Sequence, residues 1–223
     1  MAKKRNDFVV VIKNQTAWQK IPYREMHVDN NLIVCQKRLF PNGQNKRLLY
    51  IGFGEGHNLE YLAQQGFKCS GTEIAKNQLT YTRRRFQKAG LRANLHLINS
   101  DILPFAEDFF DVVIAWQSLY YNSPETLKIA LAEIKRVLKP GGQFLSSMVS
   151  PKQKLLCYKK IAPWTYQPSP ITKQERCILT CLQTKQQIRS FYKPFKNIKI
   201  GYYRSELFRS PNFHWVIYGE KKT

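Results

Sequence analysis

The 223-residue sequence predicts an α/β protein in which helices cover both faces of a mostly parallel, doubly wound sheet. Three observations predict it. From Leu48 to Val149, short apolar runs rich in strand formers alternate with longer stretches of helical period. The first apolar run ends in a glycine turn, as a buried strand feeding a helix does. Two of the helical stretches are closed by glycines, Gly66 and Gly90.

Taken in order, Leu48–Ile51 is the first strand and residues 57–65 the helix after it. Lys68–Glu73 is a second strand, followed by a helix from Ala75 to about Lys88. Asn94–Ile98 alternates like a third strand, and Phe110–Trp116, rich in Val, Ile and aromatics, is a fourth. Ser123-Pro124-Glu125 opens a helix with a capping Ser, a Pro at the first helical position and an acid in the first turn. That helix runs to about Leu138 and stops before Pro140-Gly141-Gly142, and Gln143–Val149 is the fifth strand. Three prolines in Ile161–Pro170 bar a helix or an inner strand there, so a loop or lid boundary is expected. Helical stretches follow, the second starting at a capping-box pattern, Thr184 to Gln187. Two strands near Ile198–Tyr203 and Phe213–Tyr218 close the chain.

The length suits one compact domain, or one domain with an appended lid, and 43% apolar and 13% aromatic residues exclude a disordered chain. Thirty-six Lys and Arg against fifteen Asp and Glu leave a net charge of +21. Residues 151–223 carry 15 basic and 3 acidic side chains, so the excess concentrates in the last third. Such a balance favours an anionic partner (nucleic acid, a phosphorylated small molecule or an acidic membrane surface) or marks only a solvated basic face. Five cysteines, Cys35, Cys69, Cys157, Cys177 and Cys181, have no zinc-type spacing, and their odd number argues against a disulfide framework. Free thiols in a reducing compartment are expected, and no metal site. The apolar run Phe8–Ile12 is too short for a secretory core, and no stretch reaches the length of a membrane span. The expectation is a cytoplasmic protein without stable membrane insertion.

The chemistry-bearing signal is Tyr50-Ile51-Gly52-Phe53-Gly54-Glu55-Gly56, at the exit of the first strand. Glycines there let the backbone turn tightly and approach a ligand. The spacing is G-x-G-x-G, with His57 where a dinucleotide site would carry its third glycine. Glu73, at the end of the second strand, is placed to accept both hydroxyls of a ribose, and Asp101, after the third strand, to meet an adenine amine.

Over residues 46–149 the sequence resembles the class I S-adenosylmethionine-dependent methyltransferases, in their small-molecule branch. The resemblance rests on LLYIGFGEG, CSGTEIA, NSDILPFAEDFFDVVIAW and EIKRVLKPGGQFLSS. It implies a Rossmann-like sheet of seven strands with the last antiparallel. It implies S-adenosylmethionine as cofactor, with Gly52, Phe53, Gly54 and Gly56 along its methionine part and Glu73 on the ribose. Asp101, Ile102 and Ile74 would frame the adenine, and Trp116 would lie near the bound cofactor. The chain then divides into an N-terminal helical cap (residues 1–45), the cofactor-binding core (46–150), a lid-like insertion and helix (151–195) and the final two strands (196–223).

The sequence departs from some branches of the family. After the fourth strand it reads Trp116-Gln117-Ser118-Leu119, not the Asn/Asp-Pro-Pro-aromatic tetrapeptide of amino-methylating nucleic-acid enzymes. No cysteine pair stands where a pyrimidine-C5 enzyme keeps its nucleophile. Methyl transfer by direct displacement depends mainly on alignment, and a base is needed only for some acceptors. Tyr23, His27, Tyr120 and His214 are the candidate bases. Three readings stand: a small-molecule or glycan methyltransferase, with an anionic acceptor among the candidates; an RNA methyltransferase using the basic surface; and a non-catalytic S-adenosylmethionine-binding protein.

Overall fold

The computed structural model describes residues 19, 27–99, 102–153, 158–168, 178–205 and 212–223. A seven-stranded sheet runs in the order β3-β2-β1-β4-β5-β10-β9. Its strands are β1 (Arg47–Ile51), β2 (Lys68–Glu73), β3 (Asn94–Leu97), β4 (Phe110–Ala115), β5 (Leu138–Val149), β9 (Phe195–Ser205) and β10 (Asn212–Lys221). From β3 to β5 neighbouring strands are parallel, whereas β10 lies antiparallel to both β5 and β9. This is the seven-stranded, Rossmann-like sheet that the sequence predicts.

The pleat explains why helices are needed on both faces. Along β1, Leu48 and Tyr50 point to one side and Leu49 to the other, and all three are buried. Helices α1 (Asn30–Leu39), α2 (His57–Gln64) and α3 (Lys76–Lys88) cover the first face through Leu32, Leu59, Leu62, Leu79 and Phe86. Helices α4 (Pro124–Val137) and α5 (Lys185–Phe191) cover the second through Leu127, Leu131, Ile134, Ile188 and Phe191. Ser123 caps α4, its hydroxyl accepting from the Thr126 N–H, with Pro124 at the first helical turn. Thr184 and Gln187 form the expected capping box at the start of α5.

Two regions differ from expectation. Pro140-Gly141-Gly142 does not precede the fifth strand but lies inside it, as a bulge between the Phe110–Leu138 and Val112–Gln143 pairs. Gly141, at φ 74°, supplies the conformation that lets the strand resume. The proline-bearing stretch is a hairpin, β6 (Tyr158–Ala162) and β7 (Thr165–Pro168), which pairs with β8 (Leu179–Thr180) in a separate three-stranded sheet. Pro163 falls in the turn and Pro168 on the last residue of its strand, positions where a missing N–H is tolerated. The helical stretch expected before Thr184 falls largely outside the described residues, and its described end is the strand β8. Among the described residues, no helix is long and apolar enough to cross a membrane.

Candidate active site

The chemistry gathers at the carboxyl ends of β1, β2 and β4, where a doubly wound sheet opens a crevice. The turn after β1 is held from both sides by side chains. The Gly54 N–H donates to Glu73 Oε2 at 2.8 Å, and the Thr82 hydroxyl of α3 donates to the Gly54 carbonyl at 2.8 Å. Gly52, Gly54 and Gly56 have φ of 70°, 53° and 81°, a region that favours glycine. Their surroundings differ. A Cβ on Gly56 would sit 2.6 Å from Thr82 Cγ2, and one on Gly52 2.7 Å from Ser118 Cβ, whereas one on Gly54 would meet nothing within 4 Å. Gly56 is the N-cap of α2 and serves helix packing, while Gly54 opens onto free space.

Glu73 is 6% exposed. Its Oε1 accepts from the N–H groups of Ile74 (2.8 Å) and Ala75 (3.1 Å), in addition to the Gly54 bond to Oε2. Burial pushes its carboxyl up from the ordinary range, and the three backbone N–H groups pull it back down. An ionised carboxylate offers about four lone-pair sites. Three are used, so Oε2 keeps acceptor capacity for one further donor such as a hydroxyl.

One cavity of about 290 Å³ joins this turn to the end of β4. It is lined by Gly52, Phe53, Gly54, Glu73, Ile74 and Trp116, and also by His27, Gln117 and Ser118. Three lining residues carry buried polar atoms with no partner among the described residues: Thr72 Oγ1, Gln78 Oε1 and Ser118 Oγ. Buried polar atoms are seldom left so, and a polar ligand in the cavity would satisfy them. Open space beside Gly54, spare acceptor capacity on Glu73 and these orphaned atoms fit a nucleoside cofactor with a polar tail.

Opposite the glycine turn, side chains from distant elements meet. Asp29, which caps α1, accepts from Trp116 Nε1 at 3.0 Å and from Gln117 Nε2 at 3.3 Å. Gln117 Nε2 also donates to the Tyr203 hydroxyl at 2.9 Å. Trp116, Tyr203 and His214 stack, with ring centroids 5.6 and 5.3 Å apart. Burial drives the His214 imidazole down to about 4, so it is neutral at physiological pH. Among the described lining residues there is no Lys or Arg, although the chain carries +21.

The structure thus brings together on one cavity Gly52, Phe53, Gly54, Glu73, Ile74, Trp116 and His27. Gly56 lies behind the turn, and Ile102 is 66% exposed and away from the lining. Tyr120 and His214 are buried behind the Tyr203 ring and outside the lining. Tyr23 and Asp101 lie outside the described residues. Sequence reasoning does not single out Thr82, Gln117 or Tyr203. Positive φ at Gln117 and 86 residues between the partners of its Tyr203 bond leave no local signal.

Residues 48–142 match the family model of a methyltransferase domain. A sterol 4-C-methyltransferase of Caenorhabditis elegans is 36% identical over 104 residues, 46% of this chain and 30% of that protein. An S-adenosyl-L-methionine-dependent Diels-Alderase of Talaromyces variabilis is 35% identical over 104 residues, 44% and 34% of the two chains. The chain therefore spans well under half the length of these curated relatives. Among solved structures, the 1,6-didemethyltoxoflavin-N1-methyltransferase of Burkholderia thailandensis, with S-adenosylhomocysteine bound, superposes with a TM-score of 0.67. That match covers 100% of this chain and 88% of the other at 18% identity, so the likeness is one of fold. Fold and site define an α/β protein built to hold a nucleoside-type cofactor at the strand ends. Over its core, residues 48–142, the chain is similar to a methyltransferase domain, and the curated relatives that share this stretch include S-adenosylmethionine-dependent proteins.

Proposed function

We propose that this chain transfers a methyl group from S-adenosylmethionine to a small-molecule acceptor bound in the same cavity. The observation that carries the proposal is continuity. The Gly54–Glu73 half and the Trp116–Gln117 half open onto one space rather than two. When bound, the cofactor supplies an electrophilic methyl on a sulfonium. Glu73 Oε2 would accept from a ribose hydroxyl, and Gly54 would leave room for the methionine part. Ile74 would lie along the adenine, and His27, just before the Asp29 cap of α1, borders the cavity. Acids without lysine or arginine in the described lining favour a cationic ligand. Positioning of the acceptor, more than proton transfer, then governs the rate.

Formation of S-adenosylhomocysteine should appear with hydroxylated or amino small molecules and not with total RNA. Turnover with RNA alone would reverse the choice of acceptor. A glycan acceptor would show itself as turnover confined to sugars. A second reading is favoured by the likeness to a Diels-Alderase: cofactor binding without methyl consumption. It predicts tight S-adenosylmethionine binding and no S-adenosylhomocysteine with any acceptor.

A further inference from the structure

Gln117 stands where β4 ends, with φ at 54°, a conformation that residues other than glycine rarely adopt. Its backbone N–H donates to the Ser147 hydroxyl at 2.7 Å, and Ser147 is fully buried on β5. The residue is thus fixed from below. Its side-chain amide is fixed from one side as well. The Asp29 carboxylate only accepts hydrogen bonds, so the group facing it must be the NH2. The second amide hydrogen goes to the Tyr203 hydroxyl, which burial keeps protonated by pushing its phenol up. Both amide hydrogens are used, and Oε1 has no partner among the described residues. A residue that lines the cavity, held in a rare conformation with its nitrogen tied down, presents a fixed carbonyl to whatever enters.

We infer that Gln117 is the residue that reads the methyl acceptor, through a hydrogen bond from an acceptor O–H or N–H to its Oε1. The inference rests on the methyltransferase reading and deepens it, because it states the acceptor's chemistry. The reacting end is a hydrogen-bond donor, neutral or cationic. An anionic group has no described Lys or Arg in the lining to meet it, and it would face the Gln117 carbonyl with Asp29 just behind. Described cations are found on the surface away from the lining. On α3, Lys76, Arg83, Arg84 and Lys88 point to solvent. Tyr203 and Asp29 act as positioning residues, since both hold the amide rather than touch the acceptor.

The test needs no knowledge of the acceptor. In sinefungin a carbon-borne amine replaces the methylated sulfonium, so its ammonium projects toward the acceptor side of the cavity. Calorimetry would compare sinefungin with S-adenosylhomocysteine on wild type, Gln117→Leu and Tyr203→Phe, with circular dichroism confirming that each variant folds. The expected result is a sinefungin preference of about tenfold in wild type, as a charge-assisted hydrogen bond supplies. Gln117→Leu should abolish the preference and leave S-adenosylhomocysteine affinity within about twofold. Tyr203→Phe, which frees the amide to rotate, should reduce the preference in part. No preference in wild type, or equal loss of both ligands in Gln117→Leu, would overturn the inference and leave Gln117 a structural residue. Failure of folded wild type to bind S-adenosylhomocysteine at all would instead sink the methyltransferase reading beneath it.

Discussion

The two halves of the cavity are built from different materials. The cofactor half is made of backbone. Gly54 is gripped at its N–H by Glu73 and at its carbonyl by Thr82, partners 19 and 28 residues away. The half proposed for the acceptor is made of side chains from three elements, with Asp29, Trp116, Gln117 and Tyr203 joined across 86 to 88 residues. A backbone site tolerates little change in sequence, because its donors cannot be moved without moving the strand. A side-chain site can be rewritten residue by residue while the sheet stays as it is. One fold can therefore hold one cofactor and serve many acceptors, and the role proposed for Gln117 is of this rewritable kind.

That contrast can be broken most severely at the glycines. Gly56→Ala should destabilise the chain by about 3 kcal/mol or more, from left-handed strain plus a clash with Thr82. Gly54→Ala, with open space around it, should cost only about 1 kcal/mol yet weaken cofactor binding. Urea unfolding and calorimetry on the two variants check this. Equal stability losses would mean that the turn does not separate packing from binding.

The acceptor half should reveal itself through pH. His214 is held near 4 against an ordinary imidazole value of 6.5. Between these values the unfolded chain binds the extra proton and the folded chain does not. Stability is therefore full above the ordinary value and falls as pH drops toward 4, by on the order of 3 kcal/mol. His214→Phe should remove most of that acid-side loss, read by urea unfolding at pH 7 and pH 4.5. An unchanged pH slope would show that another group is responsible.

A smaller effect is expected beside the cofactor half. Arg136 of α4 donates to the carbonyls of Leu103 and Phe105, at 3.0 and 2.8 Å, and Glu133 accepts from the Leu103 N–H. These bonds hold the segment that follows β3. Arg136→Ala should cost about 1 kcal/mol of stability and weaken S-adenosylhomocysteine binding severalfold. Lost stability with unaltered binding would detach that segment from the site.

How much of this the sequence carries follows the same division. The glycine turn, Glu73 and the strand–helix alternation are legible because period, caps and strand ends are local signals. The RVLKPGG pattern is legible too, though part of its reason is structural: Arg136 ties down the 103–105 segment, and Lys139 pairs with Asp111 at the edge of β4. The hairpin over residues 158–168 was not legible. Its prolines hide the strand character by standing at the turn and at the strand end. Nor was the Asp29–Gln117–Tyr203 network, whose members become neighbours only when α1, β4 and β9 meet. The resemblance implies that Ile102 frames the adenine, and in the structure its side chain is exposed, where a ligand could reach it.

The central claim is that the backbone-built half, centred on Glu73, holds S-adenosylmethionine. Calorimetry of S-adenosylhomocysteine on wild type and Glu73→Ala, both confirmed folded, tests it most directly. Micromolar binding by wild type, weakened tenfold or more in Glu73→Ala through loss of hydrogen bonds to a charged group, is the result predicted here. No binding by folded wild type, or equal affinity in the two proteins, would contradict it.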